Sequence, residues 1–241
     1  MKKIYFITVD TETTQDGLVA DFAATVSDKK GNILAECAVL VDGVFTEHEK
    51  HPLFFDSKAA PSALWSKAGA DRRYAMYNSM IKSGVRMIAS RAAINVWLLK
   101  AKAQFDPILT AYNLPFDQGK CRNTGIDLAV FSKSFCLWQA SYALWAHTKK
   151  YRAMVLDTNA FNPPTNKGNM SFKTNAETMA RFVLGNPALE DEPHTALEDV
   201  KFYELPILNA MLKTKSVRWI LENSKPYNWR ECQVKDWFRP S

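Results

Sequence analysis

The chain has 241 residues, 47% of them hydrophobic and 23% charged, with a formal net charge of +6. That length suits one domain with a generous core, or a core with elaborations, and the balance excludes a disordered chain. No apolar run is long enough to span a bilayer, and Met1-Lys2-Lys3 leads into a strand with no small-residue cleavage site, which argues against a signal peptide.

The four cysteines, Cys37, Cys121, Cys136 and Cys232, are scattered without paired metal-ligand spacing, so free thiols in a reducing, cytoplasmic compartment are expected. Residues 4–9 form an apolar, β-branched run that predicts a buried strand ending in Asp10-Thr11-Glu12. Residues two apart on a strand share a face, so Asp10 and Glu12 put two carboxylates side by side. Such a pair needs a cation, and clustered hard oxygens favour Mg²⁺ or Mn²⁺; a solvated acidic strand end is the plain alternative for the pair alone. Strands at 19–27 and 33–42, joined by the turn Asp28-Lys29-Lys30-Gly31-Asn32, complete an antiparallel meander.

Residues 43–64 are irregular. From 66 to 104 the spacing predicts two helices, interrupted at Gly84, with the second starting near Met87. Residues 105–112 read as a strand, followed by Asn113-Leu114-Pro115-Phe116-Asp117, where Asn113 caps a helix and Asp117 sits in its first turn. A short strand at 130–137, a helix at 138–145 and an exposed loop at 162–169 come next. Thr174-Asn175-Ala176-Glu177 reads as a capping box for a helix closed by Gly185-Asn186-Pro187. After the acidic turn 190–193, His194-Thr195-Ala196-Leu197-Glu198-Asp199 leads into a long amphipathic helix to about Leu212, kinked at Pro206. The tail from Ser216 interleaves basic and aromatic residues, among them Arg218, Trp219, Tyr227, Trp229, Lys235, Trp237, Phe238 and Arg239. Covering the core is the expected use for most of them, with stacking on unpaired bases as the other.

Four acids thus fall at strand or helix ends: Asp10, Glu12, Asp117 and Asp199. His194 lies five residues before the last. On a continuous helix those two would point about 140° apart, so they converge only if His194 sits ahead of the helix or in its distorted first turn. A histidine beside an acid cluster is a natural proton acceptor near neutral pH. Around such a centre, a net charge of +6 suits a polyanionic substrate held by a basic rim.

Val9-Asp10-Thr11-Glu12-Thr13-Thr14 resembles the first motif of the DEDD, or DnaQ-like, 3′–5′ exonucleases. Ala111-Tyr112-Asn113-Leu114-Pro115-Phe116-Asp117 resembles the second, and His194-x(4)-Asp199 resembles the third in the form that marks the DEDDh branch. The resemblance covers most of residues 1–212 and is strongest to bacteriophage-encoded members. Gln15, Tyr112 and Cys136 depart from residues frequent in relatives, and none is a metal-binding position of the family.

The resemblance implies a ribonuclease H-like α/β fold: a mixed five-stranded sheet with helices on both faces, a helical insertion at about 43–105, and an extension at 213–241 packed on the same domain. It further implies two Mg²⁺ (or Mn²⁺) ions, one held by Asp10, Glu12 and Asp199, the second by Asp10 with Asp117 acting mainly through water. His194 would take the proton from the attacking water. The backbone around Thr11 and Thr13, with Asn113 and Phe116, would receive the 3′-terminal nucleotide. The activity implied is release of 5′-mononucleotides from single-stranded DNA in the cytoplasm, that of the bacterial host for a phage protein. An exoribonuclease on short RNA, a proofreading subunit docked on a polymerase, and a nucleic-acid-binding protein without turnover are the alternatives.

Overall fold

A computed structural model gives the fold and describes residues 3–234; Lys235, Trp237, Phe238 and Arg239 of the aromatic and basic tail lie outside the described residues. Strands β1 (Tyr5–Thr13), β2 (Val19–Asp28) and β3 (Ile33–Val41) form the expected antiparallel meander. Strand β5 (Ile108–Ala111) then lies parallel to β1, and β6 (Ser134–Cys136) parallel to β5. The sheet gains a sixth strand, β4 (Met87–Ala89), at its far edge, giving the order β4-β3-β2-β1-β5-β6. The five strands β3-β2-β1-β5-β6 have the mixed ribonuclease H-like arrangement.

Strand β1 is buried on both faces, and its alternation divides the core. Ile7 and Val9 pack on one side with Tyr77, Ile94 and Leu98 from helices α1 (Lys67–Lys82) and α2 (Arg91–Phe105). Phe6 packs on the other with Met179 of α6 (Ala176–Leu184) and Ile207, Leu208 and Met211 of α8 (Leu205–Thr214). Asp10 and Glu12 share the parity of Phe6 and project toward α7 (Ala196–Asp199) and the turns that follow it. Helix α3 (Leu114–Thr124) brings Asp117 to the end of β1.

Several local expectations change. Met87 and Ile88 belong to β4 and not to the second helix, which starts at Arg91 behind the Ser90 N-cap. Pairing with Val39 and Leu40 gives their backbone a ladder that helical spacing alone does not reveal. The N-cap of α6 is Asn175 and not Thr174, whose hydroxyl accepts from Trp138 Nε1 at 3.0 Å, so no capping box forms. Asn113 holds the N-cap position of α3 without a side-chain cap bond.

The helix read as continuous to Leu212 is α7, a π-helical stretch Val200–Glu204, and α8. Pro206 explains the break: it has no N–H to donate, and its ring would crowd the carbonyl four residues earlier. Helices α4 (Leu137–Ser141), α5 (Lys149–Thr158) and α9 (Val217–Glu222) complete the side that holds Phe6, where Ile220, Cys232 and Val234 of the tail are buried. All four cysteines are free thiols. Among the described residues no helix is long and apolar enough to cross a membrane.

Candidate active site

Three segments meet at the end of β1. Glu12, His194 and Asp199 each offer an atom such that all lie within 4.8 Å of one another, a spacing at which one ion can be held. Asp10 and Asp117 fall outside that triplet, yet the charge of Asp10 is felt by Glu12, Asp117 and Asp199. Asp10 Oδ2 and Asp199 Oδ1 are buried without a hydrogen-bond partner.

Burial is the leading cause that raises every one of these carboxyls, and repulsion follows. Asp10 rises to about 7 through burial and then Asp21. Glu12 rises through burial and Asp10, opposed by Arg73. Asp117 rises through burial and Asp10, opposed by the Thr11 hydroxyl, which donates to its Oδ1 at 2.8 Å. Asp199 rises through burial, Asp10 and Glu12. A centre of this kind is either partly protonated or neutralised by a cation, and its orphaned oxygens fit a divalent ion.

His194 sits ahead of α7, the first of the two placements its distance from Asp199 allows. Its φ of +53° is in the left-handed region, uncommon for a residue with a β-carbon. Pro193 precedes it, and Thr195 behind it holds the N-cap position of α7 without a side-chain cap bond. The ring stands edge-on to Trp65 at 4.5 Å, and Nδ1 lies 3.8 Å from Glu12 Oε1. Burial first, then Arg73, lowers its pKa to about 4, so the imidazole is neutral at pH 7 and free to accept a proton.

The predicted substrate residues are spread around this end. The Thr11 side chain is buried and engaged with Asp117. Thr13 is buried, and its carbonyl accepts from Phe54 N at 2.9 Å. Asn113 is exposed, and Phe116 is 44% exposed with Lys120 Nζ 5.0 Å from its ring centre.

Several neighbours escape a reading by motif. Asp21 lies opposite Glu12 in the β1–β2 register and is wholly buried. Its Oδ2 accepts from Ala196 N at 3.0 Å, and its Oδ1 lies 3.7 Å from Arg86 Nε. Arg86 also donates to Glu198 at 2.5 Å, and Glu198 accepts from Thr195 Oγ1 at 2.6 Å, which pins the third motif to β2. Ala23 permits the close approach by packing on Ala196 and Leu197. A lone acid inside the apolar run of β2 was the available signal.

Glu204 also reaches the centre. Its Oε1 accepts from Tyr112 N at 3.0 Å, its Oε2 has no partner, and burial, Asp10 and Asp117 raise its pKa. From the insertion, α1 buries Gly69, Ala70, Arg73 and Tyr77 along one stripe. Arg73 Nη1 lies 3.7 Å from Glu12 Oε2, and the Tyr77 hydroxyl donates to the His194 carbonyl at 3.4 Å.

No protein-family model matches the chain, and no curated protein matches it. Among solved structures it is similar to E. coli exonuclease I in complex with a 5cy-dT13 oligonucleotide, with 17% identity and a TM-score of 0.46 over 91% of this chain and 42% of that one. It is likewise similar to exonuclease I in complex with the inhibitor BCBP, with 15% identity and a TM-score of 0.46 over 91% of this chain and 43% of that one. The chain therefore spans somewhat less than half the length of the chains it matches.

Proposed function

We propose that this chain is a DEDDh-type, metal-dependent 3′–5′ exonuclease that releases 5′-mononucleotides from single-stranded DNA. The observation that carries this is the convergence at one end of β1 of Asp10, Glu12, Asp117 and Asp199, with Asp10 Oδ2 and Asp199 Oδ1 buried and unpaired, beside a neutral His194. Asp10, Glu12 and Asp199 would hold one Mg²⁺ or Mn²⁺, and Asp10 with Asp117 a second. When bound, these ions supply Lewis-acid stabilisation of charge on the scissile phosphate and the departing 3′ oxygen.

The chain's own groups do the rest. His194 accepts the proton of the attacking water; desolvation keeps its ring neutral, and Trp65 and Glu12 set where it stands. Thr11 fixes Asp117 through its hydroxyl, and Asp21 holds the start of α7 through Ala196 N. The backbone at Thr11 and Thr13 and the exposed Asn113 and Phe116 receive the terminal nucleotide, with the Phe116 ring available for stacking on a base. We assign residues 1–212 to the exonuclease domain, with 43–105 as its insertion and 213–241 as an extension packed upon it.

The test uses matched single-stranded DNA, duplex DNA and RNA labelled at the 3′ end, with Mg²⁺ or Mn²⁺, comparing wild type with Asp10→Ala. Shortening of the single-stranded DNA by wild type alone is expected, with a loss of at least about 10³-fold in the variant. Shortening of RNA alone assigns an exoribonuclease. No shortening by wild type, or equal shortening by Asp10→Ala, sinks the enzyme.

A further inference from the structure

Arg73 is a cation already standing in the acid centre. Its side chain is 2% exposed, although it belongs to the insertion and not to the sheet. Three contacts hold it. Nη2 donates to the Phe54 carbonyl, the guanidinium carbon lies 4.7 Å above the Trp65 ring, and Nη1 faces Glu12 Oε2 at 3.7 Å. Trp65 continues to His194 at 4.5 Å, and His194 returns to Glu12 at 3.8 Å, closing a ring of four side chains.

The first two contacts anchor Arg73 and are independent of Glu12. The third is an ion pair without a hydrogen bond, and both Nε and Nη1 lack a hydrogen-bond partner. A guanidinium keeps its charge, so it cannot leave the site by losing a proton. The pair with Glu12 is therefore held by charge alone.

We propose that Arg73 is a resident counter-cation of this centre: it holds Glu12 in the metal-free protein and competes with the divalent ion for it. The insertion thereby sets the ion concentration at which the site fills. This rests on the assignment of Glu12 as an ion ligand made above. Arg73 is a positioning residue here, acting on Glu12 and, through Trp65, on His194.

The experiment measures Mn²⁺ binding to the full chain by calorimetry without any nucleic acid, for wild type, Arg73→Met and Arg73→Lys. Methionine keeps an apolar stem over Trp65 and removes the charge. Arg73→Met is expected to bind Mn²⁺ about tenfold tighter or more, from one unit charge removed a few ångströms away. Arg73→Lys, which keeps the charge, is expected to stay near wild type. Unchanged or weaker binding by a folded Arg73→Met overturns the proposal and leaves the exonuclease assignment standing. Absence of Mn²⁺ binding in all three proteins overturns both.

Should Arg73→Met fail to fold, a titration of the wild-type chain carries the test. The Arg73 Nε–H resonance, assigned by its absence in Arg73→Lys, is followed through a Mg²⁺ titration. A shift that saturates with ion binding supports the exchange, and a resonance that stays in place while the ion binds overturns it.

Discussion

A buried ion pair decides where the third motif sits. Asp21 and Arg86 are both wholly buried; the first holds Ala196 N and the second holds Glu198, so α7 hangs from β2 by two polar threads. Removing one partner of such a pair strands the other in a low-dielectric interior. Arg86→Met is expected to cost roughly 3 kcal/mol of unfolding free energy in urea titration, and to lower activity by displacing His194 and Asp199. The Thr11 hydroxyl carries a smaller load. Thr11→Val leaves an oxygen of Asp117 without its donor and is expected to cost about 1–3 kcal/mol in the same measurement. At this scale Asp10, Glu12, Asp117, His194 and Asp199 were readable because motif spacing and strand parity put them together. Asp21 and Arg86 were not, since their roles come from the β1–β2 register and from an insertion that carries no motif.

Among the elements, the π-helical stretch after α7 adds an acid that regular helical spacing would turn away. Its hydrogen bonds span five residues, and Glu204 comes near enough to feel the charges of Asp10 and Asp117 and to act on Asp199. Glu204→Gln keeps the acceptor for Tyr112 N and removes a charge from a crowded centre. The variant is expected to raise the melting temperature of the metal-free protein at pH 8, and a lowered one would show that the charge is needed.

Helix α1 depends on a close approach. A β-carbon at Gly69 would stand 1.9 Å from the Leu64 carbonyl oxygen, beside Trp65. Gly69→Ala is expected to destabilise by about 1–3 kcal/mol and to shift the fluorescence of Trp65 through a displaced 63–66 turn. The meander was legible from alternation and turn residues. The strand at 87–89 and the break at 200–204 were not, because a three-residue ladder and a π turn have no period of their own. Tertiary pairing and Pro206 created them.

At the level of the whole molecule, stability and ionisation are linked. Asp10 stands at about 7 and Glu192 at about 8, each raised by burial first, and Asp117 and Glu204 are raised in the same direction. These groups keep protons in the folded chain that the unfolded chain has released by about pH 4–5. The folded state therefore binds more protons across that window, and stability falls as pH rises from about 5 to 8. The melting temperature of the chelator-treated protein is expected to drop over that range. Added Mn²⁺ is expected to restore it, most at the alkaline end, because a divalent ion favours the charged carboxylates. A flat or rising profile without metal would contradict the reading of the centre as a set of crowded acids.

The register between β1 and β5, with Phe6 opposite Ile108, carries a consequence for the order in which the molecule comes into being. The meander closes from neighbouring residues, but its parallel partner arrives a hundred positions later. The contact of Asp21 with Ala196 spans 175 positions. Loop closure over such distances is the slow part of folding, and a chain leaving the ribosome presents its amino end first. Asp10 and Glu12 are thus placed long before the histidine and the last acid that would make them act. A nascent chain is a sheet without an assembled centre until its final third docks, and the proposed cutting of nucleic acid becomes possible only with the closing contact.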